Sequence, residues 1–396
     1  MRRICQPQVS IGTSSLLDCD SSAGHQPMHT AATCSSIESQ ATAPLPPAPA
    51  EHLTNSSQLW MRHLQAMKAF VITNYLPLAF LVALVWAMSW PEPGKVVGSW
   101  QIRDARVVQA INNFFVFLVS GLTLRTKEIN TAFKQWPGLV YGLVAILAFT
   151  PCLGFAAKRL NLTPSEFNIG LAIFCVVPTT LGVGVALTAA ARGNQALALL
   201  LTVATNLLGI ITVPYELKLI LLGSNVVSVD PSSLVVKLIF TVLVPTVLGK
   251  AACILSSSLD AAVRRHKVAL SLFSHTNLAL IIWQTLSGAR NVLVAQPFHR
   301  VMLVILASIV MHLIYLAFNA IVVGVFRFPV KEGIAVLIMA SQKSAPIAVT
   351  VISYITPDIA QQGLFSVPAI VGQLAQIFMG SLLIRYLSRL VKDDQE

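Results

Sequence analysis

Charged side chains are scarce in this sequence. Asp, Glu, Lys and Arg make up only 11% of its 396 residues, whereas 55% are hydrophobic. Soluble domains of ordinary composition carry about 25% charged residues. Acidic residues are the scarcer kind, with 16 against 27 basic ones. These proportions exclude an ordinary soluble protein and indicate a chain that crosses a membrane several times.

Motifs of catalysis, metal binding and nucleic-acid binding are also missing. The six cysteines show no CxxC or Cys/His spacing of a metal site. The sequence contains no GxSxG, HExxH or P-loop motif, and no pair of aspartates within an apolar run. The net charge of +11 comes from basic residues spread over short segments, which form no continuous patch. The sequence therefore predicts no enzyme, no metal or organic cofactor and no nucleic-acid partner.

The first 65 residues differ from the rest of the chain. Up to about residue 60 they are rich in Ser, Thr, Ala, Gln and Pro, without helical or strand periodicity. Arg2, Arg3 and the many serines are typical of an organelle transit peptide, and the apolar core of a secretory signal is absent. We interpret residues 1–65 as a disordered leader that directs the chain to a plastid. A mitochondrial address and a cytosolic tail are the alternatives.

Apolar runs fill the remainder of the chain, residues 66–396. Crossing the hydrocarbon core takes about 20 residues, and ten runs reach that length. They are 70–90, 107–124, 137–157, 167–190, 195–215, 234–255, 268–288, 300–325, 333–355 and 364–388. The distribution of Lys and Arg between them places both termini on the inner side. The predicted fold is an all-α polytopic membrane protein with about ten transmembrane helices in contact with membrane lipid.

The ten runs form two matching sets of five, over residues 70–215 and 234–388. A single offset of 164 residues pairs Asn113 with Asn277 and Pro178 with Gln342. A repeated unit with an odd number of spans enters the membrane in the opposite direction the second time. The sequence thus predicts two inverted repeats, an architecture of secondary transporters.

The ninth run contains two residues that an intact membrane helix avoids. In the segment MASQKSAPIAV, Lys343 costs about 3 kcal/mol at the bilayer centre, and Pro346 removes a backbone hydrogen bond. Matching places in the fourth run hold Pro178, Gly182 and Gly184. We predict that both helices are interrupted near the membrane midplane. A cation would stabilise the C-terminal ends of the half-helices, and Lys343 is a candidate for a fixed cation there.

Polar side chains near these breaks are candidates for a solute and ion pathway. Ser and Thr in membrane helices also bond to carbonyls of their own helix, and Gln also ties helices together, so packing is the alternative explanation for each. Gln342 with Lys343 is the strongest pair, because intramembrane ionisable groups are seldom kept for packing alone. The predicted pathway residues are Thr179, Thr180, Thr188, Gln342, Lys343, Ser344, Asn113 and Asn277.

Three motifs resemble the bile acid:sodium symporter family, and within it the plant plastid branch. They are VPTT at 177–180, ARGN at 191–194 before a run with Thr202 and Asn206, and SQKS at 341–344. The similarity covers roughly residues 70–390. It implies a panel domain, a core domain in which the fourth and ninth helices cross, and organic anions as the substrate class. It also adds Thr202 and Asn206 to the predicted pathway.

The sequence departs from the sodium-coupled members of that family at two places. Their glutamate four positions before the equivalent of Gln342 is Ile338 here, and their Ser-Asn pair in the fourth span is replaced near Val183 and Gly184. Hard cations need oxygen ligands, preferably some that are anionic. Lys343 instead puts a positive charge where the sodium site is expected.

We therefore predict a multi-pass secondary transporter of small organic anions across an organelle membrane, the chloroplast envelope. The resemblance implies sodium as the coupling ion. The departures favour proton-coupled or uncoupled transport, with Lys343 in place of the cation. A membrane regulator that keeps the fold without transport is the third hypothesis.

Overall fold

The described part of the chain begins at residue 51. The computed structural model describes residues 51–102, 105–124, 135–180, 182–223 and 226–393. Most of the predicted leader, residues 1–50, lies outside them, and its role in directing the chain to a plastid stays a prediction. Residues 51–65 belong to the first helix. The compact unit relevant to function is Trp60–Glu396.

The described residues are helical almost throughout. The helices in chain order are α1 (Glu51–Thr73), α2 (Tyr75–Ser89), α3 (Glu92–Ser99), α4 (Val107–Leu122), α5 (Trp136–Lys158), α6 (Glu166–Val176), α7 (Val183–Ala190), α8 (Gln195–Ile220), α9 (Pro231–Leu255), α10 (Ser257–Arg265), α11 (Lys267–Val294), α12 (Phe298–Val325), α13 (Val330–Ser341), α14 (Ala345–Ile355) and α15 (Ile359–Asp393). An antiparallel pair, β1 (Gln101–Ile102) and β2 (Ala105–Arg106), lies between α3 and α4. Helices α5 and α9 contain π-helical turns at Ala145–Phe149 and Ile239–Leu243.

Six spans among the described residues are long and apolar enough to cross a membrane. They are α5, α8, α9, α12, the broken helix α13 and α14, and α15, and the bent pair α1 and α2 makes a seventh. Helices α4 and α6 are apolar but shorter. Each of the ten predicted runs contains a helix, so the all-helical membrane class is confirmed. The count of ten spans and the inverted repeats stay predictions.

Two helices are interrupted, one after Val176 and the other after Ser341, and they resume at Val183 and Ala345. Helix α6 ends where Val177 turns extended, with φ −62° and ψ 149°, because a following proline disfavours helical backbone. Helix α13 ends at the extended Gln342, with φ −93° and ψ 140°. Pro346 lies in the first turn of α14, where its missing N–H costs nothing. Pro346 therefore begins a half-helix, and the interruption itself precedes it.

Helices α13 and α14 lie at the centre of the molecule. In the apolar 18-residue stretch of Val330–Ile355, 94% is buried inside the protein. The corresponding share in Phe298–Val325 is 28%. Helices α5, α8, α12 and α15 pack around this broken helix. The polar atoms of the break are consequently shielded from lipid by protein.

Helix α6 packs against α15 through a glycine. A Cβ atom at Gly170 would lie 2.1 Å from the backbone oxygen of Phe365, and backbone cannot move aside as a flexible side-chain end can. We expect Gly170→Ala to lower the melting temperature of the purified protein, since overpacking costs about 1–3 kcal/mol. The measurement is thermal unfolding in detergent.

Gly324→Ala is the matched control for this substitution. A Cβ atom at Gly324 would meet nothing within 4 Å, and Ala is the better helix former. This variant should melt at or slightly above the temperature of the parent protein. Equal melting temperatures for the two variants would contradict the close approach of α6 and α15.

Candidate functional site

The two interruptions contact each other directly. The backbone N–H of Ser344 donates a hydrogen bond to the Pro178 carbonyl oxygen at 3.0 Å. The Thr179 hydroxyl donates to the carbonyl oxygen of Met339 at 2.7 Å. We call residues 177–180, 182 and 342–344 together the crossing. These bonds satisfy backbone groups that broken helices leave without helical partners.

Lys343 is completely buried at the crossing, with 0% of its surface exposed. Its Nζ donates to the carbonyl oxygen of Val177 at 2.8 Å and to that of Ile146 at 3.2 Å. Val177 is the C-terminal cap of α6, so the ammonium lies at the negative end of that helix dipole. Ile146 belongs to the π-helical turn of α5. The ammonium group therefore joins α5, α6 and the second interruption.

Two glutamines of α15 bind the backbone of the second interruption. Gln376 Oε1 accepts from the N–H of Lys343 at 2.8 Å, and Gln373 Oε1 accepts from the N–H of Ala345 at 2.9 Å. In return, the Gln342 side-chain amide donates to the Gln376 carbonyl oxygen at 3.1 Å. All of these residues are buried. Helix α15 thus supplies the acceptors that the open backbone needs.

Helix α8 connects the crossing to a cavity of about 280 Å³ between α4, α8 and α9. Asn206 Nδ2 donates to the Thr179 carbonyl oxygen at 3.3 Å and to that of Thr202 at 2.6 Å. Thr202 and Asn206 line the cavity, together with Lys250 of α9 and mostly apolar side chains. Lys250 Nζ donates to the Leu124 carbonyl oxygen at 2.8 Å. The cavity therefore combines apolar walls with one cation and an amide.

The remaining predicted pathway residues make other bonds. Thr180 accepts from the N–H of Gly184, and Thr188 donates to the carbonyl of Gly184, so both serve α7 locally. Asn113 accepts a bond from Thr350 of α14 at 3.1 Å.

Asn277 donates to the Phe273 carbonyl within its own helix, α11. The structure therefore brings Thr179, Gln342, Lys343, Ser344 and Asn206 together. Asn277 has no bond to the crossing among the described residues.

Three buried oxygen atoms at or beside the crossing have no partner among the described residues. Asn206 Oδ1, Gln342 Oε1 and Ser344 Oγ are buried and have no hydrogen-bond partner among the described residues. Neutral oxygens of this kind suit a hard cation, although an anionic ligand would strengthen such a site. Ile338 is buried and apolar. No group of three or more His, Cys, Asp or Glu side chains that could hold a metal ion occurs within the described ranges.

Comparison with known proteins agrees with this architecture. A model of the SBF-like CPA transporter family matches residues 74–389, most of the chain. The chain belongs to this family. The similarity to bile acid:sodium symporters that the three motifs indicated is thereby confirmed.

Named relatives of this SBF-like chain come from plants and animals. "Probable sodium/metabolite cotransporter BASS4, chloroplastic" of Oryza sativa subsp. japonica is 33% identical over 332 residues, 81% of this chain and 77% of the relative. The protein of that name in Arabidopsis thaliana is 33% identical over 335 residues, 82% and 75% of the two chains. "Sodium/bile acid cotransporter 7" of Mus musculus is 26% identical over 313 residues, 77% and 91% of the two chains.

Membership in the SBF-like family decides the general class of this protein. The relatives are named as cotransporters, so the chain is a membrane transporter and not an enzyme. Its apolar helices and its chloroplastic relatives make it a multi-pass membrane protein of the chloroplast.

Several residues that bind the crossing of this SBF-like transporter are absent from the sequence-based predictions. Gln373 and Gln376 lie three residues apart inside an apolar run, and this spacing places them on one helix face. That pattern could have found them. Nothing in the sequence marks Ile146, because its role comes from a backbone carbonyl in a π-helical turn.

Proposed function

We propose that this chain is a secondary transporter of small organic anions in the chloroplast envelope. The observation that carries the proposal is the buried crossing of two broken helices around the Lys343 ammonium. Broken backbone is tolerated at membrane depth where protein buries it or where it lines a cavity. Transporters bind solutes and ions at such breaks. The relatives' names, with metabolites and bile acid as cargo, support a small organic substrate.

The cavity between α4, α8 and α9 is the proposed solute site. Lys250 supplies a positive charge for an anionic group, and the Asn206 amide lies at the wall nearest the crossing. Apolar side chains such as Phe117 and Leu199 would contact the hydrocarbon part of the solute. Pockets of this composition orient a ligand by a few polar groups and bind it by apolar contact.

Ten spans in two inverted repeats form part of the proposal. Helices that correspond in the two halves begin 164 residues apart: α6 at Glu166 and α13 at Val330, then α8 at Gln195 and α15 at Ile359. This agreement with the offset of the polar motifs supports a duplicated unit. Inverted repeats allow a fixed site to be exposed first on one side and then on the other.

Arg106 supports a two-state cycle of this kind. It precedes α4, whose opposite end lines the cavity. Its guanidinium donates to the Pro357 carbonyl oxygen at 2.5 Å and to the Gln362 side chain. These bonds tie the start of α4, remote from the cavity, to the start of α15. A contact between elements that is made in one state and broken in the other is what alternating access requires.

For coupling, we propose that the Lys343 ammonium takes the place of a bound cation. It already compensates the C-terminal end of α6, so sodium is not needed for that purpose. Sodium coupling is the second candidate, and the three unpartnered oxygens of Asn206, Gln342 and Ser344 favour it.

Solute flux in proteoliposomes tests the proposed function. We expect saturable uptake of a small carboxylate from a panel with increasing apolar size, without a requirement for sodium. Lys250→Met should raise KM for that solute about tenfold, because a charge-assisted hydrogen bond contributes about 1.5 kcal/mol.

Lys237→Met is the matched control, since Lys237 lies on α9 and is exposed outside the cavity. It should transport like the parent protein. Absence of carboxylate flux across the whole panel would refute the transport proposal. An unchanged KM in Lys250→Met would mean that the solute does not bind in this cavity.

A further inference from the structure

A carboxylate lies within a candidate membrane span and has no role in the function proposed above. Glu216 belongs to α8, whose candidate span runs from Gln195 to Ile220. The predicted run 195–215 ends one residue before Glu216, which therefore falls outside the predicted span. An ionisable group within a span is costly and usually functional.

Glu216 has one buried atom without a partner. Glu216 as a whole is half-buried. Its Oε2 atom is fully buried and has no hydrogen-bond partner among the described residues. A lysine ammonium carries three donors, and Lys343 uses two of them, on Val177 and Ile146. The neighbours of Glu216 on α8, Val213 and Leu217, belong to the same core cluster as Val177, whose carbonyl oxygen binds Lys343. An acceptor and a donor without partners among the described residues thus lie on elements that pack together beside the crossing.

Other charged groups near this part of α8 have different partners. Lys158 of α5 donates to the Leu222 carbonyl oxygen at 2.8 Å. Lys237 of α9 lies 5.5 Å from the centre of the Tyr354 ring. Cys175 of α6 is a buried free thiol in the same core cluster as Val177.

Glu216 and the cavity occupy different levels of α8. Asn206, at the cavity, precedes Glu216 by ten residues, which is about 15 Å along a helix. The first interruption packs on α8 between them, since a Cβ atom at Gly209 would lie 3.1 Å from Pro178 Cγ. A proton bound to Glu216 would therefore lie on the side of the crossing that is remote from the cavity.

We propose that Glu216 is the proton-binding site that couples solute movement to a proton gradient, with Lys343 as its counter-charge. This inference rests on the proposed transport function. A proton from water adds to the carboxylate and forms the neutral acid, which leaves the Lys343 charge without its counter-charge. The net positive charge then favours an anion in the cavity. Loss of the proton restores the pair and releases the anion, so proton and anion move together.

Proton movement is measured with a pH-sensitive dye inside the proteoliposomes. The parent protein should carry protons inward with its carboxylate solute. Glu216→Gln should lower the uptake driven by a proton gradient tenfold or more, which is the size of a typical coupling between two sites. The rate at which this variant exchanges solute across the membrane should no longer depend on pH. Glu216→Asp should restore proton movement. The control Glu332→Gln, on α13 away from the crossing, should behave like the parent protein.

A second measurement does not depend on transport. Infrared difference spectra between acid and alkaline pH should show carbonyl stretches of protonated carboxyl groups, and one of these bands should be missing in Glu216→Gln. The single variants Glu216→Gln and Lys343→Met should each melt lower than the parent protein, and the double variant should recover part of the loss, because it leaves no unpaired charge.

The outcomes separate the two proposals. A parent protein without carboxylate flux refutes the transport function, whereas the infrared band and the melting cycle still report on Glu216. Proton-coupled uptake that persists in Glu216→Gln overturns the proton-site proposal even if transport is found. Infrared spectra that lose no carbonyl band in that variant, or melting losses that simply add in the double variant, also overturn it.

Discussion

Lys343→Met is expected to lower solute flux tenfold or more and to lower the melting temperature. The substitution keeps the side-chain length but removes the donors that bind the carbonyls of Val177 and Ile146. Each buried acceptor left without a donor costs about 1–3 kcal/mol, and loss of charge at the helix end adds up to ~2 kcal/mol. Relief of the desolvation cost of the ammonium offsets part of this loss. Flux and thermal unfolding are both to be measured.

Lys218→Met is the control for Lys343→Met, because Lys218 is exposed near the end of α8. It should match the parent protein in both measurements. Ile338→Glu added to Lys343→Met restores the acid of the sodium-coupled relatives and should produce stabilisation by sodium that the parent lacks. If Lys343→Met transports and melts like the parent, the lysine has no role at the crossing.

Gln376→Leu is expected to have the next largest effect. It removes the acceptor of the Lys343 backbone N–H, which is buried and has no alternative partner among the described residues. The orphaned donor should cost about 1–3 kcal/mol. The Lys343 side chain would then lose its fixed orientation, so flux should fall together with the melting temperature. Thermal unfolding and proteoliposome flux report the two effects.

Gln284→Leu serves as a matched control for Gln376→Leu. Gln284 is also a buried glutamine, on α11, but its Oε1 has no hydrogen-bond partner among the described residues. Replacing it should change the melting temperature little or raise it. A similar loss in both variants would mean that volume rather than hydrogen bonding determines the effect at Gln376.

Much of the fold could be predicted because membrane helices are recognisable in a sequence by their apolar composition. The runs at 137–157 and 300–325 correspond to α5 and α12 within a few residues. The predicted ends of the helices were less accurate, because the last turns of a helix are less apolar than its middle. Helix α8 extends to Ile220, five residues beyond its predicted end, and Glu216 was missed for this reason. The short helices α3 and α10 were also missed, since neither has an apolar run.

The candidate site was predictable only in part. Lys343 and Gln342 stood out because a polar group in an apolar run is costly. The pairing of Asn113 with Asn277 by a common offset suggested equal roles, but their bonds differ. Asn113 accepts from Thr350 across to another helix, and Asn277 donates within its own. Sequence distance does not specify which neighbour a side chain will meet.

Sequence by itself determined the membrane class, the position of the two interruptions and the presence of a buried cation. Those features follow from local chemistry: apolar composition, a proline that disfavours helix before it, and a lysine within a span. Tertiary structure decided what the cation binds. Val177, Ile146 and Gln376 come from three other helices, and two of them contribute backbone carbonyls that every residue has. Only the packing of those helices selects which carbonyls reach the ammonium.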